Sequence, residues 1–278
     1  MADKFFNVTQ DRGVATITFS NSRKANAFNA EFWREFPVLL KDLDEKGDVR
    51  VCILVGEGKH FSSGIDVGFL TQSAYAEADS ARARDTRIRL IGDWQAVLDL
   101  IERVRFPVIA AVHGACLGAA LDLAAACDFR YAAKDAFFSI EEINLGLMAD
   151  LGSLQRLPLT MPEAVVRDLA YTGRRFTADE ALSYGLVSDV YDNEDLIAQT
   201  VKTAHLIASK SPIAIAACKR AFNYRRNHGL ASALEHTQLL QAALIDSQDI
   251  AQQLIAKATG EVSKFEDLLP NLNPAIST

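Results

Sequence analysis

The chain reads as an α/β protein whose last third is helical. Three observations predict this. Over the first two thirds, short apolar runs rich in β-branched residues alternate with segments whose apolar residues recur at helical spacing. After Pro162 the character changes, and helical candidates follow one another with no flexible linker before them. The 278 residues are 49% hydrophobic and 23% charged, which suffices for a sizeable core beneath a water-facing surface. Such an order places helices over a sheet.

Taken along the chain, "VATITF" from Val14 to Phe19 alternates as a strand does. "NAEFWREFPVLLKDLDEKGD" follows, with Phe32, Phe36, Leu39, Leu40 and Leu43 at helical spacing. Pro37 inside it argues against one unbroken helix, because proline removes an N–H donor and crowds the preceding turn. "VCILVG" from Val51 is a short buried strand. Residues 74 to 105, rich in Ala, Arg and Asp, look helical. "PVIAAVHG" from Pro107 is a further buried strand, with small residues leading into a helix near Leu117. "LGAALDLAAACD" reads as that buried helix and "FRYAA" as a strand. Thr177, with Glu180 three residues on, has the form of a capping box, and Gly185 suits the end of the same helix. Residues 193 to 209, 211 to 226 and 230 to 257 are the remaining helical candidates, and "PNLNPAIST" reads as a loose end.

The net charge of −7 and the lack of a basic patch argue against nucleic acid as a partner. No apolar run reaches membrane-spanning length. Cys52, Cys116, Cys127 and Cys218 include no C-x-x-C pair and read as reduced thiols. The five histidines form no metal-ligand cluster, so no metal is expected. The N-terminus resembles neither a secretory nor a transit sequence, and Ile-Ser-Thr is not the Ser-Lys-Leu address; the expected location is cytoplasmic.

Three stretches have room for chemistry. In "GKHFSSGIDVGFL", residues 58 to 70, Ser-Ser-Gly after an apolar strand is either a simple turn or a set of backbone N–H groups aimed at a ligand. In residues 110 to 128, a helix N-terminus with small residues offers N–H donors and close approach to the backbone. Asp122 falls inside that helix, as a structural hydrogen-bonding residue or as a working one; a buried charge needs a partner or a proton. In "IEEINLGLMADLGSLQRL", residues 140 to 157, carboxylates sit in an apolar segment. If Glu141 and Glu142 are extended they face opposite sides, one outward and one inward.

Together these stretches resemble the crotonase (enoyl-CoA hydratase/isomerase) superfamily from about residue 10 to 260. "RKANAFN", "FSSGID", "PVIAAVHGACLGAALDLAAACDFRYA", "DAFFSIEEINLGL" and "LQRLP" occur in the family's order. Ala181 to Val187 and Ser211-Pro212 supply its later motifs. Within the superfamily the combination of Asp122, Glu142 and Asp150 is most similar to the Δ3,5-Δ2,4-dienoyl-CoA isomerases. Hydratases carry a glutamate at the position of Asp122 and a small residue at that of Asp150. Ala119 departs from the family's glycine, and its methyl group could narrow the pocket.

The resemblance implies a spiral of β-β-α units over residues 1–200 and a helical oligomerisation region over 201–278, building a homotrimer or a hexamer of two trimers. It implies an acyl-CoA substrate and no further cofactor. Lys24, Ala25, Ala27, Ser63, Gly64, Ile65, Asp66 and Gly118 would bind the substrate, with the N–H groups of Ile65 and Ala119 as an oxyanion hole. Glu142 and Asp150 would exchange protons at C2 and C6 of a dienoyl chain, with Asp122 as an orienting residue. The setting would be unsaturated fatty-acid β-oxidation. The rivals are an enoyl-CoA hydratase, a Δ3-Δ2-enoyl-CoA isomerase and, more distantly, an RNA-binding protein of the same fold. Burial among Leu147, Met148 and Leu151 is expected to raise the pKa of a carboxyl that must deliver a proton.

Overall fold

The computed structural model describes residues 4–72 and 80–271. The N-terminal half interleaves strands β1 (Phe6–Asp11) and β2 (Val14–Phe19), helix α1 (Ala30–Lys46), β3 (Val51–Gly56), α2 (Val67–Gln72), α3 (Ala81–Arg103) and β4 (Val108–Val112). Next come β5 (Ala115–Leu117), α4 (Ala119–Ala126), β6 (Phe129–Ala133), β7 (Phe137–Ser139), α5 (Ser153–Arg156), α6 (Glu163–Thr172) and β8 (Phe176–Thr177). The chain closes with α7 (Ala178–Tyr184), β9 (Asp189–Tyr191), α8 (Leu196–Ala208), α9 (Pro212–His228), α10 (Leu230–Leu244) and α11 (Ser247–Thr259).

Six strands form one sheet in the order β1-β2-β3-β4-β6-β9, antiparallel only at β1-β2. A second sheet, β5-β7-β8, stands beside it. The parallel strands β3 and β4 are buried along their whole length, so they read as continuous apolar runs without alternation. The core on one side is led by Phe19, Phe28, Phe32, Phe36 and Phe61, all fully buried. On the other side α8 packs against β3 and β4.

Several local expectations change. Helix α1 runs through Pro37 without a break. Phe32, Trp33, Phe36, Leu40 and Leu43 are buried on either side of it, and this packing outweighs the one lost hydrogen bond. The run before Asp122 is not helical from Leu117: Ala115–Leu117 is β5, and Gly118, at φ +51°, turns the chain into α4. The segment 230 to 257 is two helices, with Asp246 capping the second by accepting from the N–H groups of Gln248 and Asp249. Of the helical segment 74 to 105, residues 74–79 lie outside the described residues, as do residues 272–278 of the expected loose end. The capping box at Thr177 and Glu180 is present, and Gly185 ends its helix.

Candidate active site

Four segments far apart in sequence, with α3 as a fifth, enclose a cavity of about 830 Å³. The first is the loop before α1. Asn26 is fully buried and staples this loop to the second segment: its Nδ2 donates to the carbonyls of Glu57 and His60 at 2.9 and 2.8 Å. Ser62 Oγ donates to the Asn26 carbonyl, and the Ser63 N–H to that of Ala25. Phe28 then bridges Ile65 in parallel fashion, giving its N–H to Gly64 and accepting from Asp66. That pairing turns the N–H of Ile65 away from Phe28. Lys24 Nζ lies 2.9 Å from Asp66 Oδ2 and holds that carboxyl below its usual range, helped by the Phe69 and Gly68 N–H groups.

The third segment is the β5-α4 corner. The Gly118 N–H donates to the Ser139 carbonyl of β7. A Cβ on Gly118 would stand 2.9 Å from Glu142 Oε1, so the missing side chain leaves space for the glutamate. A Cβ on Gly64 would lie 3.2 Å from Ala119 N, which shows how closely the two corners meet. Ala119 opens α4, where N–H groups have no partner within the helix. Among the described residues, neither the Ile65 nor the Ala119 N–H donates to a protein acceptor. Ala119 borders the cavity, but it is 2% exposed and packs within the core cluster.

The fourth segment carries the carboxylates. Glu141–Leu145 is a 3₁₀ turn closed by Gly146 in the left-handed region, not an extended strand. Glu141 therefore does not face away. Glu141 and Glu142 both border the cavity, and each has one buried carboxylate oxygen without a protein partner. Successive residues of a 3₁₀ helix are about 120° apart, against the opposite faces of a strand, so neighbours can share one wall. Burial, followed by the charges of Asp122, Asp150 and Glu141, pushes Glu142 up to about 8.

Asp150 borders the same cavity. Asp122 lies behind it and is fully buried. Its Oδ1 accepts the Ser153 N–H at 2.5 Å, while Oδ2 has no protein partner. Burial raises Asp122 to about 6 against the pull of Ser153. The three apolar residues expected to desolvate the pair divide: Leu151 is 4% exposed, whereas Leu147 and Met148 are exposed where they border the cavity. With two raised carboxyls and a third beside them, the site holds protonated and ionised carboxyls together near neutral pH.

Of the residues expected at the site, Lys24, Ala27, Ser63, Ile65, Asp66, Gly118, Ala119, Glu142 and Asp150 border the cavity; Ala25, Gly64 and Asp122 do not. Ile91 and Trp94 of α3 complete the wall and were not anticipated. Trp94 stacks on Trp33 at 5.2 Å. A tryptophan on the buried face of a helix carries no signal that separates a cavity wall from core.

The fold and site define a class. The family model for enoyl-CoA hydratase/isomerase matches residues 9–266. The chain belongs to that family, the crotonases, and has its fold. It is 39% identical to the peroxisomal Δ3,5-Δ2,4-dienoyl-CoA isomerase of Arabidopsis thaliana, over 93% of this chain and 94% of the relative. It is 37% identical to the mitochondrial Δ3,5-Δ2,4-dienoyl-CoA isomerase of Homo sapiens, over 87% and 75% respectively. The crystal structure of an enoyl-CoA hydratase from Bacillus anthracis superposes with a TM-score of 0.85 at 28% identity, covering 94% of this chain and 98% of that one. The cytoplasmic location expected from the chain ends is corrected by these relatives, which are named as peroxisomal and mitochondrial proteins.

Proposed function

We propose that the protein isomerises a 3,5-dienoyl-CoA to the 2,4-dienoyl-CoA, in the breakdown of unsaturated fatty acids. The observation that carries this reading is the convergence of Glu142 and Asp150 on one cavity, with buried Asp122 behind them. The two dienoyl-CoA isomerase relatives support it.

The reaction needs two proton transfers at two carbons. Ionised Glu142 takes the proton from C2, and the C2–H electron pair spreads over the diene and onto the thioester oxygen. Asp150, protonated at the start, gives its proton to C6. The double bonds then stand at C2 and C4, Glu142 holds a proton and Asp150 is ionised. The Ile65 and Ala119 N–H groups would hold the oxygen as its charge develops, backed by the N-terminal end of α4. Lys24, Ala25, Ala27, Ser63, Gly64, Asp66 and Gly118 would receive the CoA part. Asp122 orients the Asp150 segment through Ser153; with one oxygen so engaged and no edge on the cavity, it is badly placed to direct an attacking water. This argues against hydration.

Conversion of 3,5-octadienoyl-CoA, followed by the ultraviolet absorbance of the conjugated product, tests the reading. Absence of the 2,4-diene together with brisk hydration of crotonyl-CoA would overturn it. Asp150→Asn should lower the isomerisation rate by at least about 100-fold, the usual contribution of a general acid; turnover like the wild type would remove Asp150 from the mechanism. Self-association as a trimer or a pair of trimers belongs to the same reading, supported by the apolar side chains that α10 and α11 leave uncovered.

A further inference from the structure

Asp150 sits in an irregular stretch between Gly146 and α5, and a carboxylate on such a stretch needs an outside hold to meet one carbon. Three hydrogen bonds from three elements supply it, all to main-chain atoms. Gln95 Nε2 of α3 donates to the Asp150 carbonyl at 2.6 Å. Arg156 Nη1 of α5 donates to the Leu151 carbonyl at 3.0 Å. Asp122 of α4 accepts from Ser153. We propose that Gln95 and Arg156 are positioning residues that set the place of Asp150, and so govern the second proton transfer without governing the first. This rests on the isomerase reading above.

The anchoring of Arg156 suits such a part. Its Nη2 lies 2.6 Å from Asp99 Oδ1 and its Nε 2.8 Å from Glu102 Oε1. The other oxygen of Glu102 takes Arg226 Nη2 of α9 at 2.7 Å. The guanidinium is thereby fixed by two acids of α3, one of them held from α9. It lies so close to Gly152, at φ +127°, that a Cβ there would overlap Nη1. Gln95 and Arg156 approach from a separate cleft of about 730 Å³, and neither borders the substrate cavity. Leu151 borders both, so this stretch of chain is the wall between them. Neither side chain reaches the substrate, so their hold on Asp150 passes through the main chain; Arg156→Lys keeps the positive charge that acts on Asp122.

The test reads the two transfers separately in D₂O. Growth of the conjugated 2,4-diene from 3,5-octadienoyl-CoA needs both; entry of deuterium at C2 of recovered substrate needs only the first and its reversal. Gln95→Leu and Arg156→Lys should each lower kcat for diene formation by about 10-fold, since a displacement near 1 Å costs up to about 100-fold. KM and deuterium entry at C2 should stay within about 2-fold of the wild type. Gln95 is an exposed helix residue, so Gln95→Leu decides the matter if Arg156→Lys does not fold. Wild-type kcat in Gln95→Leu, or an equal fall in both readouts, would overturn the proposal. A wild-type protein that makes no diene would instead overturn the isomerase reading, and the positioning role with it.

Discussion

At the scale of the residue, Glu142 is the group whose chemistry its surroundings change most. Its pKa near 8 comes from burial first and from neighbouring negative charge second, with Asp122 the largest of those charges. As the base at C2 it works ionised, so entry of deuterium from D₂O at C2, which needs this transfer alone, should quicken as pH passes through about 8. Asp122→Asn keeps an oxygen for the Ser153 N–H but removes the charge, which makes Glu142 easier to ionise. The rising limb should then move to lower pH by on the order of one unit. A limb that stays put or moves upward would detach Asp122 from the electrostatics of the site. The three carboxylates were legible because acidic side chains in apolar segments are costly and demand a reason. Glu141 was misread because its wall depends on a 3₁₀ turn that no spacing rule announces. Gln95 and Arg156 were invisible for another reason: they bond to main chain, and such contacts leave no pattern of residue types.

At the scale of the element, Lys219 shows how the C-terminal helices are joined to the core. It is 6% exposed, and its three donors reach the Ile101 carbonyl at 2.7 Å, the Phe106 carbonyl at 2.9 Å and Asp128 Oδ2 at 2.8 Å. It thus ties α9 to the end of α3 and the approach to β4. Lys219→Met would leave two carbonyls and a carboxylate short of a partner, and should cost about 3–5 kcal/mol in urea unfolding. A loss below about 1 kcal/mol would mean that water or a neighbour replaces the ammonium. Long elements were readable: β2, β3, β4 and β6 stand where apolar runs mark them. Strands β5, β7, β8 and β9 have two or three residues each, too few to show any period, and their pairing is decided by tertiary contacts.

At the scale of the whole molecule, the alternation of strands and helices followed by helices alone was plain in the chain, whereas the cavity was not. Its walls come from residues 24–27, 63–67, 91–94, 117–119 and 141–151, which only the folded chain assembles. The C-terminal helices leave Leu230, Leu234, Leu239, Ile250, Leu254 and Ile255 exposed, apolar side chains that another copy of the chain would cover in the proposed assembly. Sedimentation equilibrium should accordingly give three or six times the chain mass of 30.4 kDa, and a single-chain mass would overturn the proposed assembly.

The hold on Asp150 has a consequence for how such a site changes over time. Gln95, Arg156 and Asp122 grip the carbonyls of residues 150 and 151 and the N–H of residue 153, and none of these three bonds uses the side chain at 150. The grip would survive almost any residue there. The main chain is therefore a socket and the acid an exchangeable fitting: one codon change at position 150 could swap the reaction partner at the far end of the acyl chain while the rest of the machinery stays in register.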